Sequence, residues 1–114
     1  MPQTNAPNPT LGNVDLPMAQ EFGRHLADGE AAARFRITQI EPYAANCPRI
    51  TLDFTGVRNA NSAFMNALIS SLVEQHGEAL LLRLEFKGCN PMVRVLAEAA
   101  VDLGLQKAQG RIDA

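Results

Sequence analysis

The chain has 114 residues, 46% of them apolar and 19% charged, which is enough apolar material for one small domain with its own core. Ten basic and twelve acidic side chains leave a net charge of −2, and this balance gives no sign of the clustered basic face that DNA or RNA binding requires. The sequence has no signal-peptide pattern and no apolar run of membrane-spanning length, so we expect a cytoplasmic protein without a nucleic-acid or membrane partner.

The N-terminal segment predicts a tail followed by short strands. Residues 1–12 (MPQTNAPNPTLG) are rich in Pro and Asn and predict a disordered tail ahead of a domain at 13–104. Residues 13–16 fit an edge strand that Pro17 ends, because Pro has no N–H to donate to a ladder. Residues 18–22 are interpreted as a second short strand.

The next segment predicts a helix. Asp28 is a suitable N-cap, and Glu30 suits the first turn, where the helix dipole favours negative charge. The apolar residues that recur at helical spacing and predict its buried face are Ala33, Ile37, Ile40 and Ala44. Pro42 should end or kink this helix near Ile40, and a strand at 35–38, where β-branched residues alternate, is the alternative.

The middle of the chain predicts a strand and an amphipathic helix. Residues 49–54 form the strand, which Thr55 and Gly56 stop. Asn61 or Ser62 caps a helix that runs to about residue 75 and is closed by Gly77. Its predicted buried stripe is Phe64, Met65, Leu68, Ile69, Leu72 and Val73, and its predicted exposed side is Asn66, Ser70 and Glu74.

The last third predicts one more strand and one more helix. Residues 79–86 are almost all apolar, which suggests a central strand that is buried on both faces. Asn90 and Pro91 begin a helix that Gly104 stops, and residues 105–114 are expected to form a C-terminal tail. The alternation of strands and helices predicts an α/β fold with a four-stranded, mixed or mostly parallel sheet and helices mainly on one face.

Ser62 is the most informative candidate for a functional residue. As a cap it would accept a backbone N–H and stabilise the helix by about 1 kcal/mol. As a phosphorylation site it would gain roughly two negative charges at a helix N-terminus, where such charge is tolerated. Cys89, just before the helix at Asn90, is a weaker candidate for a reactive thiol of lowered pKa.

The residues around Ser62 resemble a known family. Leu52-Asp53-Phe54-Thr55-Gly56-Val57 and the loop that follows resemble the core of STAS domains, the anti-sigma-factor-antagonist fold. In those domains a strand of the type L-D-x-[ST]-G-V leads into a D-S-[ST]-G loop, whose first serine can be phosphorylated. Ser62 stands at that serine here, while the other three loop positions, 61, 63 and 64, depart from the motif.

A divergent bacterial branch, the STAS-like DUF4325 family, is a better match. Its pattern L-D-F-x-G-V, a loop and A-F-x-[DN]-x-[LI] is similar to this chain, where the second part is Ala63-Phe64-Met65-Asn66-Ala67-Leu68. The start of the last helix at Asn90-Pro91-Met92-Val93 also resembles the family. The resemblance covers roughly residues 13 to 104.

The resemblance implies a non-enzymatic signalling module that binds a protein partner, such as a histidine-kinase-like ATPase or anti-sigma factor, and that is switched by phosphorylation of Ser62. The implied partner surface is the loop 57–62 with the exposed side of the next helix: Arg58, Asn59, Asn61, Ser62, Asn66 and Ser70. The alternative is a sensor of a small ligand, a nucleotide or lipid, whose anion Arg58 or Arg94 would receive. No nucleophile–base pair or metal-ligand spacing is present in the sequence, so we expect no catalytic residue, metal or cofactor.

Overall fold

The computed structural model describes residues 13–44 and 47–113, with side chains described as far as residue 110. The elements in chain order are β1 Val14–Pro17, α1 Met18–Phe22, β2 His25–Leu26, α2 at 29–44, β3 Ile50–Asp53, β4 Asn59–Ala60, α3 at 62–76, α4 Glu78–Leu81, β5 Leu84–Lys87 and α5 Pro91–Asp113. The predicted tail at 1–12 lies outside the described residues.

The main sheet has three parallel strands in the order β1-β3-β5, and β2 and β4 form a separate parallel pair. The predicted α/β class and parallel strands are confirmed, but the prediction of four strands in one sheet is wrong. Residues 18–22 are helical rather than extended, so they supply no strand. The short strands at His25 and Asn59 pair with each other and do not join the main sheet.

One face of the main sheet is apolar and covered, and the other is polar. The apolar face consists of two register rows, Val14-Ile50-Leu84 and Leu16-Leu52-Phe86. All of these side chains are buried except Phe86, which is half-buried against the core. Asp15, Thr51 and Glu85 share the opposite face, because side chains alternate along a strand. The helices therefore cover the apolar face of the sheet.

Helix α1 replaces the second strand that was predicted at 18–22. Met18 and Phe22 are four residues apart and so lie on one side of a helical turn. Met18 is fully buried, while the ring of Phe22 packs edge-on against Phe35 and Phe64, with centroid distances of 5.2 and 4.9 Å. Gly23, at φ 85°, ends the turn. Tertiary packing of these two side chains decides the conformation over the local pattern.

Helix α2 confirms the predicted N-cap but not the predicted end. The Asp28 carboxylate accepts hydrogen bonds from the N–H groups of residues 30 and 31. The helix runs on through Pro42 to Ala44, and the alternative strand at 35–38 is wrong. It does so through a π-helical segment, Arg36–Ile40, in which the Glu41 N–H donates five residues back to Arg36.

The π-helical segment of α2 also changes which residues of the helix are buried. The buried positions include every fourth residue: Ala32, Arg36, Ile40 and Ala44. Ile40 and Ala44 were predicted correctly, whereas Ala33 is half-buried and Ile37 is 55% exposed. A π-helical turn holds more residues than an α-helical one, so the buried stripe moves by one residue relative to the regular spacing.

Helix α3 matches its prediction most closely. Asn61, not Ser62, is the N-cap and accepts from the Phe64 N–H at 2.8 Å. All six residues of the predicted stripe are buried, and Gly77 closes the helix at φ 72°. The placement of Ser70 on the exposed side is wrong, because it lies in a second π-helical segment, Asn66–Ser70, and is 1% exposed.

The apolar run at 79–86 is divided between two elements. Its first part is helix α4, and its last part is β5, which is an edge strand and not the predicted central one. A turn between them leaves Leu82 89% exposed. Within the described part of the chain, no helix has the length and apolar character needed to cross a membrane.

Helix α5 continues well past Gly104, so the predicted stop and the tail from residue 105 are wrong as far as residue 113. Gly104 serves close packing instead. A Cβ there would lie 2.7 Å from the Ser70 carbonyl oxygen and 2.8 Å from the Val73 Cβ. The Ser70 hydroxyl donates to the Ala100 carbonyl at 2.7 Å in the same contact. The absent side chain thus lets α3 and α5 approach each other.

Candidate functional site

The candidate site lies at the carboxyl edge of the main sheet, where α/β proteins commonly bind their ligands. The loops that follow β3 and β5 lie side by side there, and the Phe54 N–H donates to the Lys87 carbonyl at 2.7 Å. Gly88 adopts φ 70°, and a Cβ on it would collide with Thr55, whose backbone nitrogen would be 2.7 Å away. The two loops are therefore in direct contact.

Asp53 shapes the first of these loops. Its carboxylate accepts from the Thr55 N–H at 2.9 Å. Hydrogen bonds from the Thr55 side chain and backbone lower the pKa of Asp53, and they outweigh the opposing effect of burial. The residue is thus an ionised turn former rather than a proton donor at neutral pH.

The loop between β3 and α3 is fixed by backbone hydrogen bonds to the segment around β2. The N–H groups of Arg58 and Asn59 both donate to the Arg24 carbonyl, at 2.8 and 3.2 Å. The Asn61 N–H donates to the Leu26 carbonyl at 2.9 Å. The two short strands therefore hold residues 58–61 in a defined conformation.

Asn90 fastens the same loop from the other side. Its side-chain amide donates to the carbonyls of Val57 and Arg58, at 3.3 and 2.9 Å. Its Oδ1 atom accepts from the Val93 N–H at 2.8 Å, which confirms Asn90 as the N-cap of α5. One side chain thus begins a helix and holds the neighbouring loop.

Two of the predicted partner-binding residues have structural roles of their own. Asn59 is exposed, and its Oδ1 lies 2.8 Å from Nδ1 of His25. Asn61 caps α3 and also donates from its amide to the Ala27 carbonyl at 3.2 Å. Their side chains therefore contribute to the shape of the loop.

The predicted surface does not extend along α3 as expected. Ser70 is buried under α5 and is not accessible to a partner. Asn66 is half-buried, and its Oδ1 lies 3.1 Å from the Ser70 Oγ. The accessible part of the predicted surface is therefore the loop up to Ser62.

Arg58 and Ser62 are the predicted residues whose side chains stay available. Both are exposed, and neither side chain makes a hydrogen bond or ion pair with any residue that the structure describes. Since Asn61 provides the cap, the Ser62 hydroxyl is not needed for the helix N-terminus.

Arg58 lines an open surface depression of about 480 Å³ together with Arg24, Gly56, Val57 and Asn90. The sequence did not point to Arg24, because a two-residue strand has no periodicity that would place its neighbour beside Arg58. Arg94, the other predicted anion receptor, is not among the lining residues and lies 3.9 Å from Glu98.

The thiols are not activated. Burial raises the pKa of the half-buried Cys89 thiol, although Arg94 opposes this effect, so the hypothesis of a lowered pKa is wrong. Burial also raises the pKa of Cys47, against the influence of Arg83. Among the described residues, no group of His, Cys, Asp and Glu side chains has an arrangement that could hold a metal ion.

Comparison with protein families identifies a match. A family model described as a STAS-like domain of unknown function (DUF4325) matches residues 31–94. This range includes β3, the loop at 57–62, α3, β5 and the first turn of α5. No curated protein and no solved structure matches the chain.

Proposed function

The chain belongs to the STAS-like DUF4325 family, and from this premise we propose that it is a non-enzymatic regulatory module that binds a protein partner through the loop 57–62. The family expected from residues 52–68 is thus confirmed, and a regulatory role follows from it in general terms. The proposal concerns which surface binds the partner and how that binding is controlled.

The observation that carries the proposal is the contrast within the loop between a fixed backbone and free side chains. Backbone bonds to Arg24 and Leu26 and the amide of Asn90 hold the loop in place. Arg58 and Ser62 nevertheless project from it without partners in the described chain. A preorganised loop loses little conformational entropy on binding, which favours recognition of another protein.

Ser62 is the proposed site of control. Its exposed hydroxyl is accessible to a kinase, and the cap at Asn61 leaves the helix intact after modification. The N-terminus of α3 tolerates the roughly two negative charges of a phosphate group. A histidine-kinase-like ATPase of the anti-sigma type is the proposed kinase and partner.

A small-ligand sensor is the second candidate, and the Arg24–Arg58 depression is the observation that favours it. Small-molecule sites are usually concave and bury most of the ligand. The depression is open and polar at both arginines, so it suits a group carried by a larger partner better than an enclosed molecule.

Affinity capture from the native cell tests the proposal. The tagged full chain should retain a specific protein partner, and intact-mass measurement should find a fraction of the chain with one added phosphate. That phosphate should be absent in Ser62→Ala but present in Ser71→Ala. Capture of no partner by the wild-type chain would contradict the proposed function, while a partner without phosphate would contradict only the switch.

A further inference from the structure

The depression beside the loop has a basic lining that comes from two separate segments of the chain. Arg24 lies just before β2 and Arg58 just before β4, and the Arg58 N–H donates to the Arg24 carbonyl at 2.8 Å. The two residues are therefore backbone neighbours, although 34 positions separate them in the sequence. Both residues line the same depression.

Four of the other arginines of the domain have acceptors of their own. Arg36, Arg49 and Arg94 form ion pairs with Glu41, Glu85 and Glu98. The Arg83 side chain donates to the Cys47 carbonyl at 2.7 Å. The side chains of Arg24, Arg34 and Arg58 have no carboxylate or carbonyl acceptor among the residues that the structure describes, and of these three Arg24 and Arg58 line the depression.

No acidic residue is among the described residues that line the depression. Besides the two arginines these are Gly56, Val57 and Asn90, which carry no charge. The amide of Asn90 is used by the loop carbonyls and by the cap of α5. The described lining therefore supplies no carboxylate that would compensate the two guanidinium groups.

We infer that the Arg24–Arg58 depression receives carboxylate side chains of the protein partner. The inference rests on the proposed function and names the chemistry of the partner: a short segment with two neighbouring Asp or Glu residues. Guanidinium groups bind carboxylates through paired hydrogen bonds, and arginine is among the residues that contribute most at protein interfaces. The open shape of the depression admits side chains from a larger surface.

The same charge complementarity gives phosphorylation a direct effect. Ser62 is four residues from Arg58, at the other end of the loop that carries both. A phosphate on Ser62 would add roughly two negative charges to the loop that carries Arg58 and so weaken the binding of carboxylates there. Release of an acidic partner on phosphorylation follows from this arrangement.

Nuclear magnetic resonance titration of the full chain with the peptide acetyl-Glu-Glu-Glu-Glu-amide tests the inference. The peptide should shift the backbone amide signals of Gly56, Val57 and Arg58 in a saturable way, and acetyl-Gln-Gln-Gln-Gln-amide should not. Arg24→Gln and Arg58→Gln should each weaken binding at least about tenfold, because each removes charge-assisted hydrogen bonds. Lys107→Gln, an equal change of charge at an exposed position of α5, should leave binding unchanged.

Equal binding by wild type, Arg24→Gln and Arg58→Gln, or shifts elsewhere only, would overturn the inference. Stronger binding of inorganic phosphate than of the peptide at the same amides would assign the depression to a small anion and also overturn it. Failure of this inference can be distinguished from failure of the proposed function. If wild type and Arg24→Gln captured equal amounts of the partner, the acidic contact would be refuted, but partner binding would stand.

Discussion

Arg36 donates its Nε hydrogen to the carbonyl oxygen of Ala67 at 2.8 Å and so connects the π-helical segments of helices α2 and α3. Arg36 is 8% exposed and also pairs with the carboxylate of Glu41. A π-helical turn interrupts the regular hydrogen-bond ladder, so a carbonyl within it needs a donor from elsewhere, and Ala67 is half-buried. The guanidinium group supplies that donor and holds the helix that begins at Ser62.

Replacement of Arg36 should therefore destabilise the domain. Arg36→Met leaves the Ala67 carbonyl without this donor and Glu41 without its counter-charge, and we expect a loss of about 2–3 kcal/mol in the free energy of unfolding. The exposure of the Glu41 side chain, 24%, keeps the loss below that of a fully buried pair. Arg34→Met, at an exposed position of the same helix, should change it by less than about 0.5 kcal/mol. Urea unfolding measures the change in the free energy of unfolding for each variant. Equal changes for Arg36→Met and Arg34→Met would refute the role of Arg36.

Gly104 should not tolerate a side chain. An added Cβ would lie 2.7 Å from the Ser70 carbonyl oxygen, so Gly104→Ala should cost about 1–3 kcal/mol of stability through overpacking. Gly110→Ala is the matched control, because it lies in the same helix and its Cβ would meet no atom within 4 Å. It should stabilise by up to about 1 kcal/mol through helix propensity. A stabilising Gly104→Ala would show that α3 and α5 can separate at no cost.

The role of Asp53 predicts a dependence of stability on pH. Its pKa is lowered in the folded chain, so it stabilises the fold above its unfolded pKa of about 3.9, and this contribution disappears as the pH falls through the folded value. Asp53→Asn should thus be less stable than wild type at pH 7, and the difference should shrink in acid.

Urea unfolding between pH 7 and pH 3 measures this difference. Asp102→Asn removes a negative charge from an exposed position on α5 and serves as the control. A gap between wild type and Asp53→Asn that is the same at pH 7 and pH 3 would rule out stabilisation by the ionised carboxylate.

The regular parts of the fold could be predicted from the sequence. The stripe of α3 follows a helical period, and the caps Asp28, Asn61 and Asn90 have side chains that accept from the first turn. The π-helical turns could not, because they depend on tertiary donors such as Arg36 and not on local spacing. For this reason Ser70 was placed on the wrong side of its helix.

Only part of the candidate site could be located from the sequence, because its residues come from separate segments of the chain. Arg58 and Ser62 belong to one continuous motif, so a single stretch of sequence identifies them. Arg24 is brought to Arg58 only by the pairing of two-residue strands, which leaves no signal in the sequence. The role of Gly104 could not be predicted either, because this glycine allows a close contact with α3 and does not end its helix.

The central claim is that a partner protein binds through the loop 57–62, and quantitative capture of that partner tests it most directly. Equal amounts of wild type, Arg58→Glu, Ser62→Asp and Lys107→Glu, each shown to be folded by its unfolding curve, are compared for retained partner. We predict that Arg58→Glu and Ser62→Asp retain at least about tenfold less partner than wild type, while Lys107→Glu retains the same amount. Equal retention by all four proteins would contradict the claim.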